Sequence, residues 1–197
     1  MLSEKLEAAL NEQINAEFWS AYLYLSMANN FEAKGKPGVA NWFRIQFREE
    51  QDHAQIFMNY VNQRGGRVLL KPIAAVDTEW ATPLDAFKAT LAHEQVVTSL
   101  INKIYAMAEE EHDYATRETL NWFISEQVEE EETAQQLIDK YAMIGTDGTG
   151  LYMLDQELAA RTYTTPSPLA NAYRSINLYR LRNLMSGSGA FLYPKII

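Results

Sequence analysis

Val39-Ala40-Asn41-Trp42-Phe43-Arg44-Ile45-Gln46-Phe47-Arg48-Glu49-Glu50-Gln51-Asp52-His53-Ala54-Gln55-Ile56-Phe57-Met58-Asn59-Tyr60 decides the fold of this chain. Steps of four and three residues pick out Val39, Phe43, Gln46, Glu50, His53, Phe57 and Tyr60. That spacing is one face of a helix facing other helices. The face is apolar at both ends, but an acid and an imidazole interrupt its middle.

Three more stretches repeat the pattern. The first reads Leu6, Leu10, Gln13, Glu17, Ala21, Tyr24, Ala28, Phe31. The third reads Phe87, Leu91, Glu94, Val97, Ile101, Ile104, and the fourth Leu120, Phe123, Gln127, Glu130, Ala134, Leu137, Tyr141, Ile144. Each breaks near its middle at an acid. A buried carboxylate without compensation costs several kcal/mol, on the order of a large share of a domain's stability. A Lys or Arg partner would compensate it, but no stripe contains one. Metal cations would also serve. Glu17, Glu50, His53 and Glu94, with Gln127 and Glu130 nearby, form an oxygen-rich set with one imidazole. Such a set suits iron or manganese better than a soft metal. Glu50 and His53, three residues apart, share one helix face. A single helical Glu is ordinarily a solvated residue, and a single apolar-face His an ordinary core residue. The coincidence of breaks at matching height in four stripes favours the metal reading.

The boundaries follow from capping chemistry. The first helix is expected from Ser3 to about Lys34, ending at Gly35-Lys36-Pro37-Gly38. The second runs from near Pro37 to Gly65-Gly66. The third starts at Thr82-Pro83-Leu84-Asp85, a cap followed by Pro in the first turn, and runs to about Glu111. The fourth spans about Tyr114 to Ile144, and a short fifth about Leu151 to Arg161. Residues 67–81, with Val68-Leu69-Leu70 and Ile73, form a connection long enough to run the length of a bundle. The second and third helices would then lie parallel. The fold class is therefore all-α: a four-helix bundle with one long crossover. The expected bundle domain is 1–161, and 162–197 is a C-terminal extension of unknown role. In that extension, Asn171 to Met185 carries Arg174, Arg180 and Arg182 with apolar residues between them, a pattern that reads equally as an amphipathic helix or as a mobile extension. Ser186-Gly187-Ser188-Gly189 has linker composition.

Composition narrows the function. The chain has 197 residues, 47% hydrophobic and 22% charged, which suits a globular protein. It has no Cys, excluding disulfides and thiolate metal sites. A formal charge of −9 disfavours nucleic acid and suits cations as partners. No uncharged apolar run is long enough for a membrane span. Met1-Leu2-Ser3-Glu4-Lys5 offers no apolar signal core, so a cytoplasmic location is expected.

Four segments carry a family resemblance: Asn15-Ala16-Glu17-Phe18-Trp19-Ser20-Ala21-Tyr22-Leu23-Tyr24, Glu49-Glu50-Gln51-Asp52-His53-Ala54, Ala92-His93-Glu94, and Glu126-Gln127-Val128-Glu129-Glu130-Glu131. With them the chain resembles the bacterial non-haem ferritins over roughly residues 1–160. The resemblance implies a ferroxidase that oxidises Fe(II) with O2 or H2O2 and stores hydrated ferric oxide in a shell of twenty-four identical subunits. It implies that Glu17, Glu50 and His53 bind one iron. Glu50 would bridge to a second, completed by Glu94 and Glu130, with Gln127 beside it. Glu49, Glu126, Glu129 and Glu130 would form a third, weaker iron site. Tyr24 would lie close to the iron pair, as a redox or hydrogen-bonding partner or simply as a core phenol. The symmetrical di-iron pattern has a second Glu-x-x-His, where this chain has Gln127-x-x-Glu130. That speaks against an oxidase that keeps both irons as a fixed cofactor. The intact Glu17, Glu50, His53, Glu94 set speaks against a cage protein without oxidase activity. Haem-binding relatives carry Met directly after the second-helix Glu, and Gln51 stands here, so no haem is expected.

Overall fold

The computed structural model describes residues 1–170. Residues 1–163 hold five helices: α1 (Glu4–Ala33), α2 (Pro37–Gln63), α3 (Pro83–Glu110), α4 (Tyr114–Ile144) and α5 (Gly148–Ala159). Residues 1–163 form one compact unit, and the chain from Thr164 onward belongs to a second. In the second unit residues 167–170 are helical. The expected amphipathic pattern over 171–185 and the linker over 186–189 lie outside the described residues.

The helices begin where side chains can satisfy free amides. Ser3 Oγ accepts from Leu6 N at 3.1 Å. Thr82 and Asp85 form a reciprocal capping box ahead of Pro83. Asp113 caps α4 by accepting from Thr116 N at 3.0 Å. It also takes both Arg64 guanidinium nitrogens, at 2.9 and 2.7 Å, joining the end of α2 to the start of α4. That fork holds the Asp113 carboxyl down at about 2. The turn between α3 and α4 has no glycine, and His112 takes the left-handed backbone (φ 54°) that glycine usually supplies.

Long-range pairs fix the directions. Lys5 meets Glu110, Ser20 meets His93, and Met27 meets Thr90, so α1 and α3 are antiparallel. Gln46 meets Glu130 and Tyr60 meets Thr116, so α2 and α4 are antiparallel. The short turn after α1 makes α2 antiparallel to it, and α2 and α3 are consequently parallel, as the crossover length implies. The crossover has no strand partner. Its backbone is held by α1 side chains instead: Asn11 bonds Arg67 O and Leu69 N, Ser26 donates to Asp77 O, and Asn30 donates to Trp80 O.

The four stripes meet as the core. Every residue of the first two is buried, as are those of the third and fourth except Leu91 and Ile144, which are half-buried. Leu91 lies one step off the seam, where Thr90 is fully buried and donates its hydroxyl to Ala86 O at 3.0 Å. A stack of Tyr24, Phe31, Phe43, Phe87 and Tyr141, with Trp42 edge-on, fills one end of the bundle. Phe57 and Phe123 stack at 4.0 Å nearer the other end.

α5 differs from its expected bounds. It starts at Gly148 because Asp147 accepts from Gly150 N at 2.7 Å, bringing Gly148 and Gly150 into its first turn. It ends at Ala159, so Arg161 lies past the helix. α5 also caps its neighbour: Asp155 accepts from Gly38 N and Val39 N, both at 3.1 Å, at the start of α2, which has no side-chain cap of its own.

Candidate metal centre

The acids that break the stripes come together in the bundle interior. Glu17 on α1, Glu50 and His53 on α2, Glu94 on α3 and Glu130 on α4 are all buried, the most exposed being Glu130 at 8%. Among the described residues, Glu17, Glu50 and His53 bring three ligand atoms within 4.8 Å of one another. His53 Nδ1 lies 3.4 Å from Glu50 Oε2. The i, i+3 spacing on a regular helix produces that contact.

Side chains from the stripes hold three of the acids. Gln13 Nε2 donates to Glu17 Oε1 at 2.8 Å, Gln46 Nε2 to Glu130 Oε2 at 2.6 Å, and Gln127 Nε2 to Glu94 Oε2 at 3.1 Å. The fully buried Tyr24 hydroxyl donates to Glu94 Oε1. That meets the ordinary requirement of a buried phenol and also ties it to the acid cluster. Three of these partners are glutamines within the stripes. Gln13 and Gln46 were legible as buried polar residues, but not as the groups that hold Glu17 and Glu130.

Among the described residues, Glu17 Oε2 and His53 Nε2 are buried without a hydrogen bond. Buried polar atoms are almost always paired, so two unpaired atoms on residues of one cluster mark a place for another ligand. The electrostatics agree. Burial, then repulsion from Glu50, pushes the Glu17 carboxyl well above its usual range. Burial, then repulsion from Glu94 and Glu130, does the same to Glu50. Burial and Glu94 raise Glu130 to about 8. Like charges crowded in low dielectric disfavour ionisation, and a bound cation would reverse this. Hard carboxylate oxygens with one imidazole fit a first-row dication such as ferrous iron.

The other expected residues are placed unevenly. Glu126 lies at the edge of the cluster, its Oε1 4.0 Å from His53 Nε2. Glu129 is exposed. Glu49 is ion-paired to Arg161, whose Nη2 lies 2.7 Å from Glu49 Oε2. Sequence reading treats Arg161 as the end of the bundle pattern. Nothing local signals its return to α2, because the contact spans 112 positions.

Four helices that turn carboxylates and an imidazole into their shared interior define the ferritin-like class of bundles. The ferritin family model, described as a ferritin-like domain, matches residues 7–144. A bacterial non-heme ferritin of Bacteroides fragilis is 43% identical over 161 residues, 82% of this chain and all of that protein. One from Staphylococcus epidermidis is 41% identical, covering 83% of this chain and 98% of its own. An open-pore ferritin of the hyperthermophilic archaeon Archaeoglobus fulgidus superposes with TM-score 0.81 at 46% identity, over 82% of this chain and 100% of that one. A form of the same archaeal ferritin engineered to be closed gives 0.82, also at 46% identity. The chain belongs to the ferritin family.

Proposed function

We propose that this chain is the subunit of an iron-storing shell and a ferroxidase, oxidising Fe(II) inside its own bundle. The observation that carries the reading is the buried Glu17–Glu50–His53 cluster with two unpartnered ligand atoms. In this reading those three residues receive one ferrous ion. Glu50 reaches a second ion, held by Glu94 and Glu130 with Gln127 beside it. Iron is the substrate and cargo, not a resident cofactor. Each Fe(II) gives up one electron. The pair reduces O2 and two protons to H2O2, or H2O2 and two protons to two waters. Anionic hard oxygens stabilise the ferric product over the ferrous substrate. The ferric ions then hydrolyse, releasing protons, and accumulate as hydrated oxide in the shell.

The glutamines and Tyr24 keep the carboxylates aimed inward while the charge on the iron changes. Haem has no part in this reading, since Gln51, on the exposed side of α2, follows Glu50. Tyr22, Leu69, Leu70 and Ile73 expose apolar surface on α1 and the crossover. Such surface suits burial between copies, here a shell of twenty-four. No described helix is long and apolar enough to cross a membrane.

Absorbance of ferric product after adding Fe(II) and air tests the reading. Glu17→Ala and His53→Ala should abolish the fast phase, a loss beyond the roughly 10–100-fold that follows removal of a ligand's supporting partner, while size-exclusion still shows a shell. Wild-type rates in either variant would reject the centre.

A further inference from the structure

The proposed centre contains a basic side chain that the helical stripes do not. Arg161 follows α5 and is carried back onto α2. Its backbone is fixed there by Asn41, whose Nδ2 donates to Arg161 O at 3.0 Å and to Leu158 O at 3.1 Å. The guanidinium lies over the Trp42 ring, 4.7 Å from its centre. Nη1 donates to Trp42 O at 3.2 Å and to Gln46 Oε1 at 2.9 Å, and Nη2 donates to Glu49 Oε2 at 2.7 Å. The planar fork is therefore used on both sides, with the stem of the site held from three directions.

Two consequences follow from these bonds. An amide has one acceptor end and one donor end. Because Gln46 Oε1 accepts from Arg161, its NH2 must face the other way, and it meets Glu130 Oε2 at 2.6 Å. The orientation of a donor on a candidate iron ligand is thus set by Arg161, one residue removed. In addition, the Glu49 carboxylate already has a permanently charged partner. A metal ion on Glu49 would sit beside a guanidinium that occupies Oε2 and is also anchored on Trp42 and Gln46, and the two cations would repel each other across a half-buried site.

We infer that Arg161 is the built-in cation of the Glu49 position: it withholds Glu49 from metal ions and positions Gln46 on Glu130. Resting on the proposed iron chemistry, this limits the bundle to the central pair of ions. Oxidised iron leaving that pair finds no carboxylate halt at Glu49. Arg161 is a positioning residue and touches neither iron nor oxidant.

The test is site-resolved. Crystals of the full chain, of Arg161→Gln, of Arg161→Lys and of the double variant Arg161→Gln/Glu49→Gln are soaked in Zn(II), which cannot be oxidised. Anomalous difference maps are then compared. The wild type should show no peak on Glu49. Arg161→Gln should gain one, Arg161→Lys should not, and the double variant should lose it again. A Glu49 peak in the wild type overturns the inference. So does its absence from Arg161→Gln, or its survival in the double variant. If Arg161→Gln does not fold, the chain truncated after Ala160, which also lacks the guanidinium, takes its place, and an empty Glu49 there overturns the inference as well. Density at Glu17, Glu50 and His53 is read separately: an empty cluster there rejects the proposed function, whatever happens at Glu49.

Discussion

Glu130 shows what one buried acid costs. Its carboxyl is raised from about 4.5 in the open chain to about 8 in the fold, by burial and by Glu94. A raised acid contributes stability below its unfolded value, and that contribution is lost as pH rises towards the folded one. The metal-free protein should therefore become less stable between about pH 4.5 and 8. Glu17 and Glu50 are shifted in the same direction and add to the slope. Bound cations should remove it, because they favour the ionised form and expel the protons. Thermal midpoints of metal-free protein across this range, with and without Zn(II), check the sign. The slope should be shallower in Glu130→Gln. A metal-free midpoint that rises steadily with pH would contradict the assignment of a protonated cluster.

At the scale of elements, the least expected feature is the junction of α5 and α2. The start of α2 has no cap of its own, and the Asp155 side chain supplies one from another helix. The approach needs Gly38: a Cβ there would come within 1.7 Å of Asp155 O, and backbone cannot move aside cheaply. Gly38→Ala should push α5 away and release the cap, costing about 1 kcal/mol for the cap plus the lost packing of Leu154 and Leu158. Thermal denaturation should show the loss. Limited proteolysis should cut near α5 sooner than in the wild type, and an unchanged cleavage pattern would mean the contact is not needed. The sequence marks Pro37-Gly38 as a helix start, and the glycine reads simply as punctuation. Only the packed neighbour explains why the residue has no side chain.

For the whole molecule, the question is what the chain beyond the bundle contributes. Residues 1–163 form a compact unit with its core complete across four stripes and α5. Arg161 and Tyr163 belong to that unit, and Tyr163 donates to Asp52 on α2. Truncation after Asn171 keeps both. The shortened protein should fold, assemble to the same size by chromatography, and oxidise iron at a rate within about twofold of the full chain. Truncation after Ala160 removes Arg161 and should behave like Arg161→Gln in the Zn(II) maps. Insolubility of the longer truncation would show that the segment after Asn171 serves the fold.

The sequence by itself determined the periodic features: four helices, the Ser3 and Thr82 caps, the crossover length, and the acids that interrupt each stripe. Helical periodicity and capping are local, so a few consecutive turns reveal them. The Glu50–His53 pair was legible for the same reason, three residues on one helix face. The tertiary structure decided the pairings between distant positions. It placed Gln127 against Glu94, Gln46 against Glu130, Asp155 on the start of α2, and Arg161 on Glu49. None of these leaves a periodic trace, since each joins groups far apart in the chain. Their partners are fixed by where the helices stop and how closely they pack, and that follows from burial of the whole core.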